Sequence, residues 1–179
     1  MSDYITTYSG LHIIPTKPEK NKILIKDIAH ALSLICRGNG HVKTFFSVGQ
    51  HCINCALEAE ARGYSKRIIL ACLLHDASEA YMSDVPRPFK QYLDQYLEFE
   101  NQLLDVIYNK FLGSSLTDAE AGKVKEIDDD LLYYDLLELL SEKQNRPAPH
   151  MKTTFSYEVQ TFEAVEQQYL ALFHKYVEQ

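Results

Sequence analysis

Charged and titratable residues stand where a helical core should be. His75 and Asp76 directly follow a seven-residue apolar run, Ile68 to Leu74, and on a helical wheel Asp76 shares the stripe of Ile69, Leu73 and Ala80. An ionised carboxylate there costs several kcal/mol unless it is paired or bound to a cation. His51 is the first candidate partner. A helical hairpin turning near Gly63 has residues 51 and 75 each 12 positions from the turn, and equal antiparallel arms, at about 1.5 Å rise per residue, return to the same level. The two imidazoles can therefore face each other. A further carboxylate is expected from Asp128-Asp129-Asp130. At about 100° per residue from Val124, Asp128 falls near about 40° and Asp135 near about 20°, both within the stripe of Ile127, Leu131, Leu132 and Leu139. Asp129 and Asp130 point away, and the wheel leaves Asp128 and Asp135 as rival candidates. Two imidazoles and two carboxylates suit one divalent ion, Mn²⁺, Fe²⁺, Co²⁺, Zn²⁺ or Mg²⁺, rather than a thiolate-type structural site. Such an ion, with open positions for water, is a Lewis acid that lowers the pKa of that water, so hydrolysis is the expected chemistry.

The composition permits an interior able to hold such a group. With 179 residues, 46% of them apolar and only 7 Gly and 6 Pro, the chain reads as one globular domain over residues 1–179. A chain of this length buries a core without disulfides or an obligatory structural metal, so a metal here would serve chemistry. Lys and Arg number 18 against 25 Asp and Glu, a net charge of −7, which argues against a sequence-independent grip on a nucleic-acid polymer but leaves small nucleotides open. No basic segment followed by an apolar stretch opens the chain, and the longest strictly apolar run falls far short of the roughly 20 residues a membrane span needs. The expectation is a cytoplasmic protein with no membrane partner. Cys36, Cys52, Cys55 and Cys72 sit in apolar helical patterns, which favours reduced thiols. His51-Cys52-x-x-Cys55 has no second Cys pair after it, and its thiols share a stripe with Val48, Ala56 and Ala59, so they are read as core packing.

The elements that must position these residues are nearly all helical. The expected fold class is all-α, a compact bundle of about six helices, with residues 1–24 irregular or a small β-hairpin. Helical period runs from Ile25 to Arg37 and stops at Gly38. Ser47 with Gln50 makes a capping box for a second helix ending near Gly63. A third, buried helix starts around Ser65 and carries the apolar run. Asp84-Val85-Pro86-Arg87-Pro88 reads as a loop. A long amphipathic helix from about Phe89 to Leu112 follows. Thr117 with Glu120 opens another, running to about Asn145, and Ser156 caps a final helix to the C-terminus.

Together, His51, His75-Asp76 and Asp128 resemble the H…HD…D signature of the HD-domain phosphohydrolases. The likeness extends through Ser47-Val48-Gly49-Gln50-His51, Leu74 to Tyr81, Asp84 to Lys90, and, in the first helix, Asp27 to Leu32 and Ile35-Cys36-Arg37. These stretches are similar to the branch containing 5′-deoxynucleotidases and small dNTP phosphohydrolases, over roughly residues 25–135. The resemblance implies a single divalent ion held by His51, His75, Asp76 and Asp128, which favours Asp128 over Asp135. It implies an acid–base role for Glu79, a place near the scissile ester for Asp84, and phosphate contacts from Arg37 and from Lys90. Three positions after Asp76, Glu79 would share its helix face. The implied activity is metal-dependent hydrolysis of (deoxy)nucleoside 5′-monophosphates to nucleoside and phosphate. Release of triphosphate from dNTPs is the alternative, and a non-catalytic nucleotide-sensing protein the second. A homodimer is also implied. Gly38 stands where that branch often has an aromatic residue, and the chain has no Trp, so selection for deoxyribose does not follow.

Overall fold

A computed structural model describes residues 3–177. Among them the chain is mostly helical. Two short strands, β1 (Ile5–Thr6) and β2 (His12–Ile13), pair antiparallel ahead of α1 (Ile25–Leu34), α2 (Val48–Ala61), α3 (Lys66–Leu74), α4 (Glu79–Met82), α5 (Arg87–Lys90), α6 (Asp94–Phe111), α7 (Asp118–Leu140) and α8 (Phe162–Tyr176). The all-α expectation and the small N-terminal hairpin both hold. Six of the helices are long, and the single-turn α4 and α5 lie in stretches that the periodicity joined to their neighbours or left as loop.

Antiparallel packing of α2 against α3 forms the centre. Ser47 accepts from the Gln50 amide while Gln50 Oε1 accepts from the Ser47 amide, the expected capping box, and both residues are buried. Ser65 caps α3, every residue of which from Ile68 to Leu74 is buried. Gly63, at φ +74°, makes the left-handed turn between the arms that other residues rarely adopt. The last helix, α8, covers α1, α2 and α3. Its buried Tyr169 hydroxyl donates to the Leu73 carbonyl at 2.6 Å, satisfying an acceptor at the end of α3.

Four expected boundaries are corrected. The first helix ends at Leu34, not Arg37, because Ile35 and Arg37 hydrogen-bond across to Val48 and Phe46. The expected helix from Phe89 is two, α5 and α6, because the Tyr92 and Leu93 amides bond three residues back and tighten the chain between them. The seventh helix stops at Leu140. Ser141 turns left-handed there, and Lys43 takes the Leu139 and Glu138 carbonyls that further turns of helix would need. The last helix starts under Thr161, which accepts from the Ala164 amide, whereas Ser156 closes only a local turn with the Glu158 amide.

One buried charge fastens the segment before α8. Glu58 on α2 is 0% exposed and accepts from Arg62, from the Lys152 and Thr153 amides and from the Thr153 hydroxyl. Burial alone would raise its pKa, but these donors, Arg62 foremost, hold it below the ordinary 4.5. A lowered folded pKa contributes stability that is complete above the unfolded value and is lost as pH falls through the folded one. Glu58→Gln is expected to cost about 1–3 kcal/mol near neutral pH. In urea titrations across pH, the difference from wild type should shrink in acid; a difference independent of pH would refute the assignment to the carboxylate charge.

Candidate metal centre

The equal-arm arithmetic holds in three dimensions: the rings of His51 on α2 and His75 at the end of α3 lie 5.3 Å apart between centroids. His51 is fully buried. Its Nδ1 is 2.9 Å from Asp135 Oδ2 and its Nε2 is 3.1 Å from Asp128 Oδ1. The two aspartates are seven residues apart on α7, two helical turns, so they bracket one imidazole from the same face. Both wheel candidates point inward, each addressing a different nitrogen.

His75 is arranged in the same sense. Its Nδ1 is 2.7 Å from the Cys72 carbonyl, which only accepts, so that nitrogen carries the hydrogen. Nε2 is left buried with no hydrogen-bond partner, 3.3 Å from Asp76 Oδ2 and 3.7 Å from Asp128 Oδ1. The same bond accompanies a change in the helix boundary. Cys72 O is the acceptor that the Asp76 amide would use in a continuing helix, so α3 ends at Leu74 and residues 75–78 form a turn. Asp76 in this turn reaches His75, and Glu79 begins α4 instead of sharing one helix with Asp76.

These side chains fit a divalent ion. In each imidazole one nitrogen is tied back to an acceptor and the other faces carboxylate oxygen, the pattern that fixes the orientation of a metal-ligating histidine. The N···O separations of 3.1, 3.3 and 3.7 Å lie from just above the octahedral polyhedron edge of about 3.0 Å to somewhat beyond the tetrahedral edge of about 3.4 Å expected for bonds near about 2.1 Å. The orphaned Nε2 of His75 is the donor such an ion would satisfy. The pocket also calls for positive charge. Burial and Arg37 oppose a proton on His51, yet Cys55, Asp135 and Asp128 outweigh them and raise its pKa well above 6.5. On His75 burial is likewise overcome, by Asp76 first. Asp76 and Asp128, which burial would raise, are held well below the usual carboxylate range by the imidazoles. A cation over two neutral imidazoles would meet the same demand.

Arg37, Asp76, Glu79, Asp84, Lys90 and Asp128 line one cavity of about 540 Å³ beside these ligands. Arg37 is no helix-end arginine. It opens a 3₁₀ turn, with Nη2 3.1 Å from Asp135 Oδ2 and Nη1 3.6 Å from Asp76 Oδ2. Burial disfavours its charge, but Asp135, then Asp76, Asp128 and Glu79, raise its pKa further. Glu79 is 5% exposed, and its Oε2 has no hydrogen-bond partner. Burial first, then Asp76 and Asp84, push its pKa well above 4.5. Burial also raises Asp84. Lys90 is less free than expected: its ammonium is 2.8 Å from Glu100 on α6 and 5.7 Å from the centre of the Tyr96 ring.

Sequence reasoning missed three features. Asp135 is a hub, accepting from His51, Arg37 and the Tyr157 hydroxyl at 3.1 Å; its wheel angle was the available signal, whereas nothing local marks Tyr157. Arg87 pairs with Asp128 Oδ2 and with Asp129, leaving Asp128 Oδ1 to the imidazoles. Cys52, Cys55 and Cys72 are buried in helices as expected, whereas Cys36 is half-buried beyond the end of α1; Cys55 Sγ also lies 3.5 Å from His51 Nε2.

Comparison with known proteins gives one decisive match. Over 142 residues the chain is 34% identical to the uncharacterized protein YfdR of Escherichia coli, covering 79% of this chain and 71% of that one. The chain belongs to the YfdR family. A second relative, an uncharacterized protein of Rhodobacter capsulatus, is 33% identical over 108 residues, 58% of this chain and 55% of the relative. No family model matches. Within this YfdR-family chain the role of Asp135 is testable. Asp135→Asn keeps the shape but weakens the anchor on His51 Nδ1, and should reduce Mn²⁺ affinity about 10–100-fold by calorimetry. Unchanged affinity would remove Asp135 from any part in holding the ligands.

Proposed function

We propose that this chain is a metal-dependent phosphohydrolase of the HD-domain type, cleaving nucleoside 5′-monophosphates to nucleoside and phosphate. The observation that carries the reading is the pair of tied-back imidazoles, each with Nε2 turned toward the Asp128 carboxylate at the mouth of a cavity that also holds Arg37. His51, His75, Asp76 and Asp128 would hold the ion. When bound, the ion supplies Lewis acidity and a lowered water pKa.

The remaining work falls to the chain's own side chains. Arg37, oriented by Asp135 and Asp76, offers a planar guanidinium to phosphate oxygens. Arg87 adds a second cation at the rim and, by taking Asp128 Oδ2, orients Oδ1 inward. Glu79, whose buried Oε2 lacks a partner, receives the proton of the attacking water. Burial, and then Asp76 and Asp84, raise its pKa, which makes its carboxylate a stronger proton acceptor. Asp84, its own pKa raised, supplies a proton to the departing 5′-oxygen. Lys90 contributes positive potential, with Glu100 holding it in place.

Purified protein with Mn²⁺ or Co²⁺ is expected to release inorganic phosphate from a panel of nucleoside 5′-monophosphates. Glu79→Gln should lower kcat by about 10²–10⁴-fold while Mn²⁺ still binds. Triphosphate from dNTPs, in place of phosphate from monophosphates, would redirect the reading to the triphosphohydrolase alternative. Stoichiometric ion binding with no product from any nucleotide would sink the catalytic reading.

A further inference from the structure

A metal centre built only for hard ions has no use for thiols against its imidazoles, yet two lie there. Cys55 follows His51 by one turn of α2 and therefore shares its face. It is 1% exposed, and its Sγ is 3.5 Å from His51 Nε2. The ligand atoms of His51, Cys55 and His75 all lie within 4.8 Å of one another, as do those of Cys52, His75 and Asp76. With Zn–N near about 2.0–2.1 Å and Zn–S near about 2.3 Å, a tetrahedral N···S edge measures about 3.6 Å. The observed separation matches that edge. His75 Nε2, buried and without a hydrogen-bond partner, is the third atom aimed into the same space.

We propose that the centre has two overlapping seats for one ion: an outer, oxygen-rich seat closed by Asp76 and Asp128, and an inner seat in which Cys55 joins His51 and His75 to take a thiophilic ion, Zn²⁺ or Cd²⁺. This rests on reading the four-residue cluster as a metal centre. The carboxylates arrive from the α3–α4 turn and from α7, while the thiol arrives from within α2, so hard and soft donors reach the imidazole pair from different elements. Both seats use the same two nitrogens, so occupancy is mutually exclusive. Asp128 Oδ1, 3.1 Å and 3.7 Å from the two nitrogens, or water supplies the fourth donor of the inner seat. Entry of the thiophilic ion converts the Cys55 thiol to thiolate and releases its proton to solvent. The inner seat is thus a means by which a soft metal displaces a harder, hydrolysis-competent one.

The test titrates the full chain with CdCl₂ and, separately, with MnCl₂. Cadmium is expected to produce a thiolate-to-cadmium charge-transfer absorption saturating at one ion per chain, and to displace bound Mn²⁺, read by the electron paramagnetic resonance of the freed ion. Cys55→Ser and Cys55→Ala should abolish the absorption while still binding Mn²⁺, which also shows that each variant is folded. Cys52→Ser should retain it. Absorption that survives in both Cys55 variants, cadmium bound without it, or Mn²⁺ that stays bound under cadmium would each overturn the inner seat. If Asp128→Asn leaves Mn²⁺ binding unaltered, the metal-centre reading itself falls; if cadmium behaves as expected but no nucleotide is hydrolysed, only the catalytic reading falls.

Discussion

Carboxylates withdrawn from water must find positive charge, and this fold gathers four of them, Asp76, Glu79, Asp128 and Asp135, around the buried His51, the largely buried His75 and the partly buried Arg37. Their surroundings separate them by pKa. An imidazole against each holds Asp76, Asp128 and Asp135 below the ordinary carboxylate range, whereas burial first, and then Asp76 and Asp84, push Glu79 above it. Groups of one chemical type thereby acquire different tasks, which is how acid–base and cation-binding roles are usually divided in a site.

Asp135 is the element on which the arrangement turns. Three side chains from different parts of the chain, His51, Arg37 and Tyr157, converge on its two oxygens. The orientation of the His51 ring and of the Arg37 guanidinium is therefore set by one carboxylate. Moving Asp135 would shift His51 and Arg37 together.

The chain breaks its helices where the cavity needs lining. The His75 imidazole takes a backbone carbonyl and ends α3, which turns Asp76 and Glu79 into the same space. Pro86 precedes α5 and Pro88 sits in its first turn, where Arg87 pairs with Asp128. Departures from regular helix thus concentrate at the candidate site, where local preference yields to the demands of the cluster.

Much was legible in the linear pattern. Capping boxes at Ser47 and Thr117, the buried period of α3 and the equal spacing of His51 and His75 about Gly63 are local features of composition and distance along the chain, and they located the helical hairpin and its paired imidazoles. The wheel also identified Asp128 and Asp135 as the inward acids of α7. Which nitrogen each would meet was beyond it, because helix rotation and the crossing of α7 over α2 depend on packing between segments more than 70 residues apart. The same holds for Tyr157 on Asp135, for Arg87 on Asp128 and for the Glu100 that restrains Lys90. Residue type and period determine that charge will be buried on a helix face; only the tertiary contacts decide what neutralises it, since electrostatic energy depends on distance in space and not on separation in sequence.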